Sequence, residues 1–418
     1  MKLDSTVPPP ASRLRNFGVN LWAEFSSLAN EHKATNIGQG FPDFVVPEFL
    51  QEEVRKAVAK PAANWYTRAQ GHPRLVKELA TEFSPLFNRN INPMTEVMTA
   101  VGAYEAIYAA ITAFINEGDE AVIIEPHFDC YAGDMELSGG KLVRVPLRPT
   151  GDEKFAKNWK LDKEEFEAAF SERTKLLITT TPHNPVGKMF TREELEYIGS
   201  VCKKHNVIIL SDEVYERVVF DENEHVRIGG LPDMWERTLT VGSAGKTFSV
   251  TGWKIGWALG PANLISQLQH VSSCSTFTAP TLLQEAVAGA FEYERGVAQT
   301  DESYFKWLSA QLQKNCQMLA DAFSDIGCTP VWPDGGYFML VDTATMGWDF
   351  TDLKTGRCYD VDCVKWLTRE FKLATIPISV FYGDKNRHLA AKYIRVCFAK
   401  SDGTIEKACQ IIRSFKKK

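Results

Sequence analysis

The sequence predicts an α/β protein with a large, mostly parallel sheet covered by helices and a smaller α+β domain. From residue 47 to about residue 300, short apolar segments rich in β-branched residues alternate with amphipathic helical segments, as in parallel strands joined by helices. Beyond residue 300 the alternation gives way to a long helical segment followed by strand, helix and strand. A chain of 418 residues also exceeds what one hydrophobic core organises.

The elements follow from this pattern in chain order. The Pro8–Pro10 run and its polar neighbours predict an irregular arm at 1–20. Apolar runs predict six strands, over 96–102, 120–128, 141–147, 174–182, 206–215 and 238–244. The amphipathic segment TREELEYIGSVCKKHN predicts a helix over 191–206. The last part of the chain is predicted as a helix over about 301–326, a strand over 337–342, a helix over 361–371 and a strand over 393–399.

Composition and charge exclude two classes of partner. Lysine and arginine number 47 against 53 acidic residues, so the net charge of −6 gives no basic surface for a nucleic-acid backbone. The longest apolar runs, such as 121–124 and 207–210, are far shorter than the roughly 20 residues that cross a bilayer. We therefore expect neither a nucleic-acid partner nor a membrane span.

Cysteine usage and the N-terminal residues indicate the compartment. Nine cysteines without a CxxC pair predict free thiols, and we expect no disulfide framework and no metal site. The first 17 residues contain an early Asp4 and three consecutive prolines but no apolar segment, so they do not predict a secretory signal. We expect a cytoplasmic protein, and the sequence leaves open a mitochondrial location with a leader removed.

The segment TVGSAGKTFSVTGWKIGW, 240–257, contains a candidate catalytic lysine. It is not a Walker-type phosphate loop, because the glycine required at position 240 is a threonine. Instead, a strand leads into Ser243-x-x-Lys246, and small neighbours leave room for a flat ring. A desolvated or cation-flanked lysine is deprotonated easily, which suits Schiff-base chemistry. Lys254 is a candidate cation that could hold a phosphate with Ser243, although a lone lysine is usually a solvated surface charge.

Polar side chains follow two further predicted strands. Asp212 ends the apolar run NVIILS, where a carboxylate is costly unless it meets a cation such as a pyridinium nitrogen. Asn184 lies between two prolines after LLITTT, and it could donate to a ring hydroxyl together with Tyr215. Taken alone, Asp212 could cap a helix and Asn184 could initiate a turn. Their joint order places them at the carboxyl ends of successive strands, where open α/β sheets bind ligands.

These motifs resemble the pyridoxal-phosphate aminotransferases of fold type I, class I and II. The resemblance is carried by Asn184-Pro185-x-Gly187, Asp212-x-x-Tyr215, Ser243-x-x-Lys246 and Gly252-x-Lys254-x-Gly256. More closely, GQGFPDF 38–44, EPHFDCY 125–131 and SAGKTFSVTGWKIGW 243–257 resemble the branch of kynurenine aminotransferases, glutamine transaminase K and cysteine-S-conjugate β-lyases. The resemblance extends from about residue 18 to residue 416.

The resemblance implies pyridoxal 5′-phosphate (PLP) as cofactor and a role for each site residue. Lys246 would bind PLP covalently and move the proton between the substrate's Cα and the cofactor. Asp212 would pair with the pyridine nitrogen, while Asn184 and Tyr215 would contact the ring oxygen. The other PLP-binding residues would be Ala103, Tyr104, Phe128, Ser243, Lys254 and, from a second subunit, Tyr66. The substrate would contact Arg395, which binds its α-carboxylate, and Gly38, Trp22, Asn184, Phe277 and Phe338.

The same resemblance implies a discontinuous small domain and a homodimer. Residues 1–17 would form an N-terminal arm, and 47–311 the large cofactor-binding domain. The small domain would combine 18–46 with 312–418. Two subunits would share their active sites, since Tyr66 and Phe277 would be contributed across the interface.

The resemblance also implies transamination between an amino acid and a 2-oxo acid. Donors would include kynurenine, which gives kynurenic acid, as well as glutamine and aromatic or large neutral amino acids, because aromatic residues surround the expected cleft. Two alternatives stay open: β-elimination from cysteine S-conjugates at the same site, and a non-catalytic regulatory protein that retains the fold. The chain departs from the branch at His183, where relatives often have asparagine, and at Thr278, where some have histidine. Both positions bear on which substrate side chain is preferred.

Overall fold

The computed structural model describes residues 8–14, 17, 21–348 and 358–415. The α-helices in these ranges are α1 (Leu21–Glu31), α2 (Glu48–Val58), α3 (Pro73–Phe83), α4 (Gly102–Phe114), α5 (Cys130–Leu137), α6 (Lys163–Ala168), α7 (Arg192–Lys204), α8 (Ala244–Thr247), α9 (Ala262–Ser275), α10 (Thr281–Val297), α11 (Tyr304–Asp325), α12 (Tyr359–Glu370) and α13 (Asp402–Arg413). The strands are β1 (Thr35–Asn36), β2 (Val97–Val101), β3 (Glu120–Glu125), β4 (Lys141–Pro149), β5 (Trp159–Leu161), β6 (Thr174–Thr180), β7 (Ile208–Asp212), β8 (Thr238–Ser243), β9 (Ile255–Leu259), β10 (Thr329–Val331), β11 (Phe338–Asp342), β12 (Leu373–Ala374), β13 (Ile376–Pro377) and β14 (Tyr393–Cys397).

An eight-stranded sheet forms the centre of the larger part of the molecule. Its strand order is β2-β9-β8-β7-β6-β3-β4-β5. The strands from β8 to β4 are mutually parallel, whereas β9 is antiparallel to both of its neighbours and β5 is antiparallel to β4. Every residue of β3 is buried, as expected for a strand covered by helices on both faces. The predicted α/β fold with a mostly parallel sheet is confirmed, and each of the six predicted strands is present.

The predicted helix over 191–206 is α7, whose start is fixed by a capping box. The Thr191 hydroxyl accepts a hydrogen bond from the Glu194 backbone N–H at 3.2 Å, and the Glu194 carboxylate accepts one from the Thr191 N–H at 2.9 Å. Together these bonds satisfy two backbone donors that the first helical turn leaves free. The buried side chains of Leu195 and Ile198 then pack one face of the helix into the hydrophobic core.

A second, antiparallel sheet has the order β10-β11-β14-β13. Near it, β1 pairs with β12 in parallel, so Thr35–Asn36 of the N-terminal region joins the C-terminal part of the chain. The helix α11 is continuous across residues 311 and 312, where the domain boundary is predicted. The domain division itself stays a prediction. Of the predicted arm at 1–17, only residues 8–14 and 17 are described, and Ser12–Leu14 form a 3₁₀ turn.

Two further observations concern the whole described chain. All nine cysteines are free thiols, and six of them are buried. Among the described residues, no helix is long and apolar enough to cross a membrane.

Candidate active site

A cavity of about 340 Å³ opens where the carboxyl ends of β6, β7 and β8 meet residues from the second sheet. Of the fifteen predicted site residues, twelve line it: Trp22, Ala103, Tyr104, Phe128, Asn184, Asp212, Tyr215, Ser243, Lys246, Lys254, Phe338 and Arg395. Gly38 lies just outside the lining and accepts a hydrogen bond from Arg395 through its carbonyl oxygen. Tyr66 and Phe277 are not among the lining residues.

Asp212 provides a buried carboxylate at the end of β7. The strand is buried almost throughout, and Asp212 is paired with Thr180 of β6. One carboxylate oxygen accepts from the Tyr131 hydroxyl at 2.7 Å and the other from the Val214 N–H at 3.3 Å. Burial raises the pKa of Asp212 to about 6, because few groups replace the lost hydration of the charged form. Tyr131 was not predicted as a site residue, although it ends the motif EPHFDCY.

Lys246 lies in the short helix α8, directly after β8. Its Nζ donates to the Gly40 carbonyl at 2.5 Å and lies 5.5 Å and 5.1 Å from the ring centroids of Tyr215 and Tyr337. The Tyr337 hydroxyl donates to the Lys246 carbonyl at 2.8 Å, which fixes the backbone beneath the amine. Burial, with the nearby charge of Arg395, lowers the pKa of Lys246 to about 8. At pH 7 roughly a tenth of the amine is therefore uncharged, against far less for an ordinary lysine.

The N-terminus of α4 forms the other end of the cavity. Gly102, Ala103 and Tyr104 open this helix, whose backbone N–H groups favour an anion. A Cβ at Gly256 would lie 2.5 Å from the Ala103 nitrogen, so glycine is needed for β9 to approach the helix this closely. Lys254 adopts a left-handed backbone conformation and places Nζ 5.1 Å from the Tyr104 ring centroid.

Arg395 projects from β14 and is 1% exposed. Its Nη1 donates to Asn184 Oδ1 at 2.9 Å, and its Nη2 donates to the Gly38 carbonyl at 2.8 Å. The guanidinium carbon lies 3.9 Å from the ring centroid of Phe338. Its Nε has no hydrogen-bond partner among the described residues. Burial lowers the pKa of Arg395 to about 10, so the group stays cationic at neutral pH with N–H donors left for a ligand.

Aromatic rings form the wall beside Arg395. Trp22, from α1, lies 5.4 Å from the guanidinium carbon and 6.1 Å from the ring centroid of Phe128. Its indole N–H donates to Asp129 Oδ2 at 2.5 Å, which fixes the orientation of the ring. Asp129 was not predicted, because a carboxylate that acts through a tryptophan 107 positions away leaves no local pattern.

The remaining predicted residues lie away from the cavity lining. Tyr66 is 86% exposed, Phe277 is 48% exposed, and their ring centroids are 5.6 Å apart in an edge-to-face contact. His183 is buried, and burial lowers its pKa to about 3, so the side chain is neutral. The Thr278 hydroxyl donates to the Arg68 carbonyl at 3.3 Å. Neither His183 nor Thr278 lines the cavity.

Comparison with known proteins identifies the family. The family "Aminotransferase class I and II" matches residues 32–412. The chain belongs to the class I and II aminotransferases. It is 42% identical to "Kynurenine--oxoglutarate transaminase 3" of Mus musculus over 97% of the chain and 90% of that protein. It is 41% identical to "Kynurenine--oxoglutarate transaminase 1" of Homo sapiens over 97% of the chain and 98% of that protein.

A solved structure supports the same assignment. The crystal structure of Bna3p from Saccharomyces cerevisiae superposes on this aminotransferase with a TM-score of 0.90 and 33% identity, covering 95% of this chain and 96% of that one. The predicted family and fold type are thus confirmed, as is the prediction of an enzyme rather than a non-catalytic protein. Aminotransferases of this class depend on PLP and act on amino acids and 2-oxo acids. The names of the relatives describe transamination and do not favour the β-elimination alternative.

Proposed function

We propose that this aminotransferase uses PLP to transfer the amino group of kynurenine, glutamine and aromatic or large neutral amino acids to a 2-oxo acid. The observation that carries the proposal is the single cavity in which Lys246, Asp212 and Arg395 converge among aromatic rings. With kynurenine as donor, the product would close to kynurenic acid. The names of the relatives at about 40% identity support this donor.

The cavity fits PLP on its own chemistry. At one end, Asp212 is a buried carboxylate that accepts only neutral donors, so a pyridinium nitrogen would supply the missing cationic partner. At the other end, the N-terminus of α4, Ser243 and Lys254 form a cradle for an anion such as a phosphate. Lys246 lies on the same cavity and is the candidate for covalent attachment. When bound, PLP supplies the electron sink that stabilises negative charge at the substrate's Cα.

Lys246 would act as the base at the substrate's Cα. With a pKa of about 8, its amine is uncharged in roughly a tenth of the molecules at pH 7 and can accept a proton in that form. The Gly40 carbonyl and the rings of Tyr215 and Tyr337 confine the amine to one side of the cavity. The same amine could then pass the proton from the substrate's Cα to the cofactor. This half of the reaction would need no second acid–base residue.

Arg395 would orient the substrate. Two of its five N–H groups are engaged by Asn184 and Gly38, so three remain for an α-carboxylate. Phe338 stacks on the guanidinium and keeps its plane fixed. The Asn184 amide nitrogen remains available as a donor toward the ring oxygen of PLP, because its oxygen is used by Arg395.

The cavity walls favour aromatic or large neutral side chains. Trp22, Phe128 and Phe338 present ring surfaces, on which an aromatic or large apolar side chain of the substrate can pack. Within the described part of the chain, the only cations that line the cavity are Lys246, Lys254 and Arg395. Each has a role in the reaction proposed above, which leaves none for a carboxylate on the substrate's side chain.

A panel of amino donors with one fixed 2-oxo acid tests this function. We expect kcat/KM for kynurenine and phenylalanine to exceed that for aspartate by about 100-fold or more. The protein should also be yellow, and its visible spectrum should shift when an aromatic amino acid is added. A colourless protein that takes up no PLP, or one that prefers aspartate, would contradict the proposal. The variant Lys246→Ala is the control for uncatalysed transamination.

We also propose that the enzyme is a homodimer with shared active sites. Tyr66 and Phe277 support this, because both are large and exposed and they contact each other away from the lining of their own cavity. Sedimentation equilibrium should give twice the mass of 46.9 kDa. If Tyr66→Ala left both the mass and PLP affinity unchanged, Tyr66 would have no role across an interface.

A further inference from the structure

Lys400 is a buried lysine without an ion-pair partner among the described residues. It is 1% exposed, and its Nζ donates to the Phe41 carbonyl at 2.7 Å. The same Nζ lies 3.7 Å from the ring centroid of Phe41. A carbonyl oxygen and a ring face both stabilise a cation, but they offset only part of its lost hydration. Burial accordingly lowers the pKa of Lys400. Burying this charge costs stability, so the segment that Lys400 binds should show what the residue contributes.

Lys400 holds a segment that covers the catalytic lysine. This segment, residues 38–43, is called the strap below. Its first end is fixed by Arg395, which donates to the Gly38 carbonyl. Its other end is fixed through Asp43, whose carboxylate accepts from the Ser401 N–H at 2.5 Å and the Thr404 hydroxyl at 2.6 Å.

The middle of the strap contacts the reacting amine. The Gly40 carbonyl accepts from Lys246 Nζ, and the neighbouring Phe41 carbonyl accepts from Lys400 Nζ. Gly40 lies against the ring of Phe338, where a Cβ would come within 2.5 Å of a ring carbon. The strap therefore joins two lysines through adjacent carbonyl groups, with no room to shift toward Phe338.

We propose that Lys400 is a positioning residue that fixes the strap over Lys246 and disfavours protonation of the Lys246 amine. The proposal rests on the proposed role of Lys246 as base. Lys400 does not line the cavity: it binds the strap at Phe41, next to the Gly40 carbonyl that accepts from Lys246, and its positive charge disfavours a second cation at Lys246.

The charges around Lys246 explain the direction of the effect. Arg395 and Cys397 approach it from β14 and Asp212 from β7, while the neutral rings of Tyr215 and Tyr337, whose centroids are 5.0 Å apart, lie together on one side. Burial lowers the pKa of Lys246 most; Arg395 and Lys400 lower it further, whereas Cys397 and Asp212 raise it. Removing the charge of Lys400 should therefore raise the pKa of Lys246, because the protonated amine would lose a like-charged neighbour.

The test is a pH titration of the visible spectrum of the PLP-loaded full chain. We expect Lys400→Met to raise the pKa of the Lys246 nitrogen and so to lower the unprotonated fraction at a fixed pH. Lys400→Arg should titrate like the wild type, because it retains the charge. Thr404→Val is the matched control, since it removes one of the two hydrogen bonds that hold the strap at Asp43 and leaves both lysines in place.

A second readout does not depend on PLP. Acetylation of Lys246 in the full chain without added cofactor, followed by mass spectrometry across a pH series, reports the pKa of the free amine. This pKa should also be higher in Lys400→Met than in the wild type. The measurement tests Lys400 even if the protein takes up no PLP. If Lys400→Met fails to fold, Lys400→Gln keeps a donor for Phe41 without the charge and should show the same rise. A wild-type pKa in the neutral variant, or an equal shift in Thr404→Val, would overturn the proposal.

Discussion

Replacing Asp212 by asparagine should stabilise the protein without cofactor and inactivate the enzyme. The pKa of this buried carboxyl rises from 3.8 to about 6 on folding, and one pKa unit corresponds to about 1.4 kcal/mol. Because the folded pKa is raised, the folded state binds more protons between these values, and stability falls as pH rises through that window. Holding Asp212 in the folded state therefore costs about 3 kcal/mol at pH 8 and roughly half as much at pH 5. Asparagine removes this cost and can still accept from Tyr131.

Urea unfolding of PLP-free wild type and Asp212→Asn at pH 5 to 8 and one protein concentration measures the difference. We expect it to grow toward about 3 kcal/mol at pH 8, while kcat/KM of the loaded enzyme falls by at least about 100-fold. Asp360→Asn is the matched control, because burial also raises the pKa of Asp360 to about 6 outside the cavity. It should change stability similarly and leave PLP affinity unaltered. A difference for Asp212→Asn that does not vary with pH would refute the reasoning.

Three further predictions concern the cavity. Lys246→Ala should abolish turnover and the covalent PLP adduct, as seen by mass spectrometry after borohydride reduction; a retained adduct would place the attachment elsewhere. Arg395→Lys should raise KM for every amino donor by about 30-fold, because a point charge replaces a fork that binds a carboxylate at two points; an unchanged KM would contradict that role. Trp22→Phe, which cannot donate to Asp129, should lower kcat/KM for kynurenine about tenfold more than kcat/KM for alanine as the amino donor. Equal losses for the two donors would show that the aromatic wall does not select between them.

The sheet could be predicted because its strands leave a strong local pattern. The run AVII, 121–124, is apolar throughout because both faces of β3 are covered, and the polar residues at the ends of β6, β7 and β8 mark the binding edge. β9 was not among the predicted strands, although Ile255–Leu259 is buried in every position. Its five residues overlap the glycine motif, so its apolar run was attributed to the site.

Contacts between distant parts of the chain could not be predicted from residue patterns. Gly38 and Arg395 are 357 positions apart, and nothing local indicates that the carbonyl of one accepts from the other. Lys400 likewise has the sequence context of a surface charge, since it precedes the polar start of α13. In both cases the decisive quantity is burial, which depends on how the whole chain packs.

A buried charge network behind the cavity was also missed. In the motif SDEVYE, Glu213 directly follows Asp212 and Glu216 directly follows Tyr215, and His225 has a ring nitrogen within 4.8 Å of both carboxylates. Three such groups could ligate a metal, but Arg227 donates a hydrogen bond to Glu216, and its Nε lies 3.9 Å from Glu213 Oε2. The arginine thus supplies the positive charge that a metal would otherwise bring to these carboxylates. The sequence shows the acidic residues but not that an arginine eleven positions later is buried with them.

The reversal of strand direction at β9 restricts how the length of this chain can vary. Because β9 runs antiparallel to β8, a single connection, residues 244–254, leaves the binding edge after Ser243 and returns to it at Lys254. Lys246 lies within that connection, so the proposed covalent attachment and the proposed phosphate binding would both depend on one short connection of fixed span. An added residue there would disturb both at once, whereas the exposed turn at 221–224 has no such constraint. Insertions and deletions among homologues should therefore be absent from the first segment and tolerated in the second.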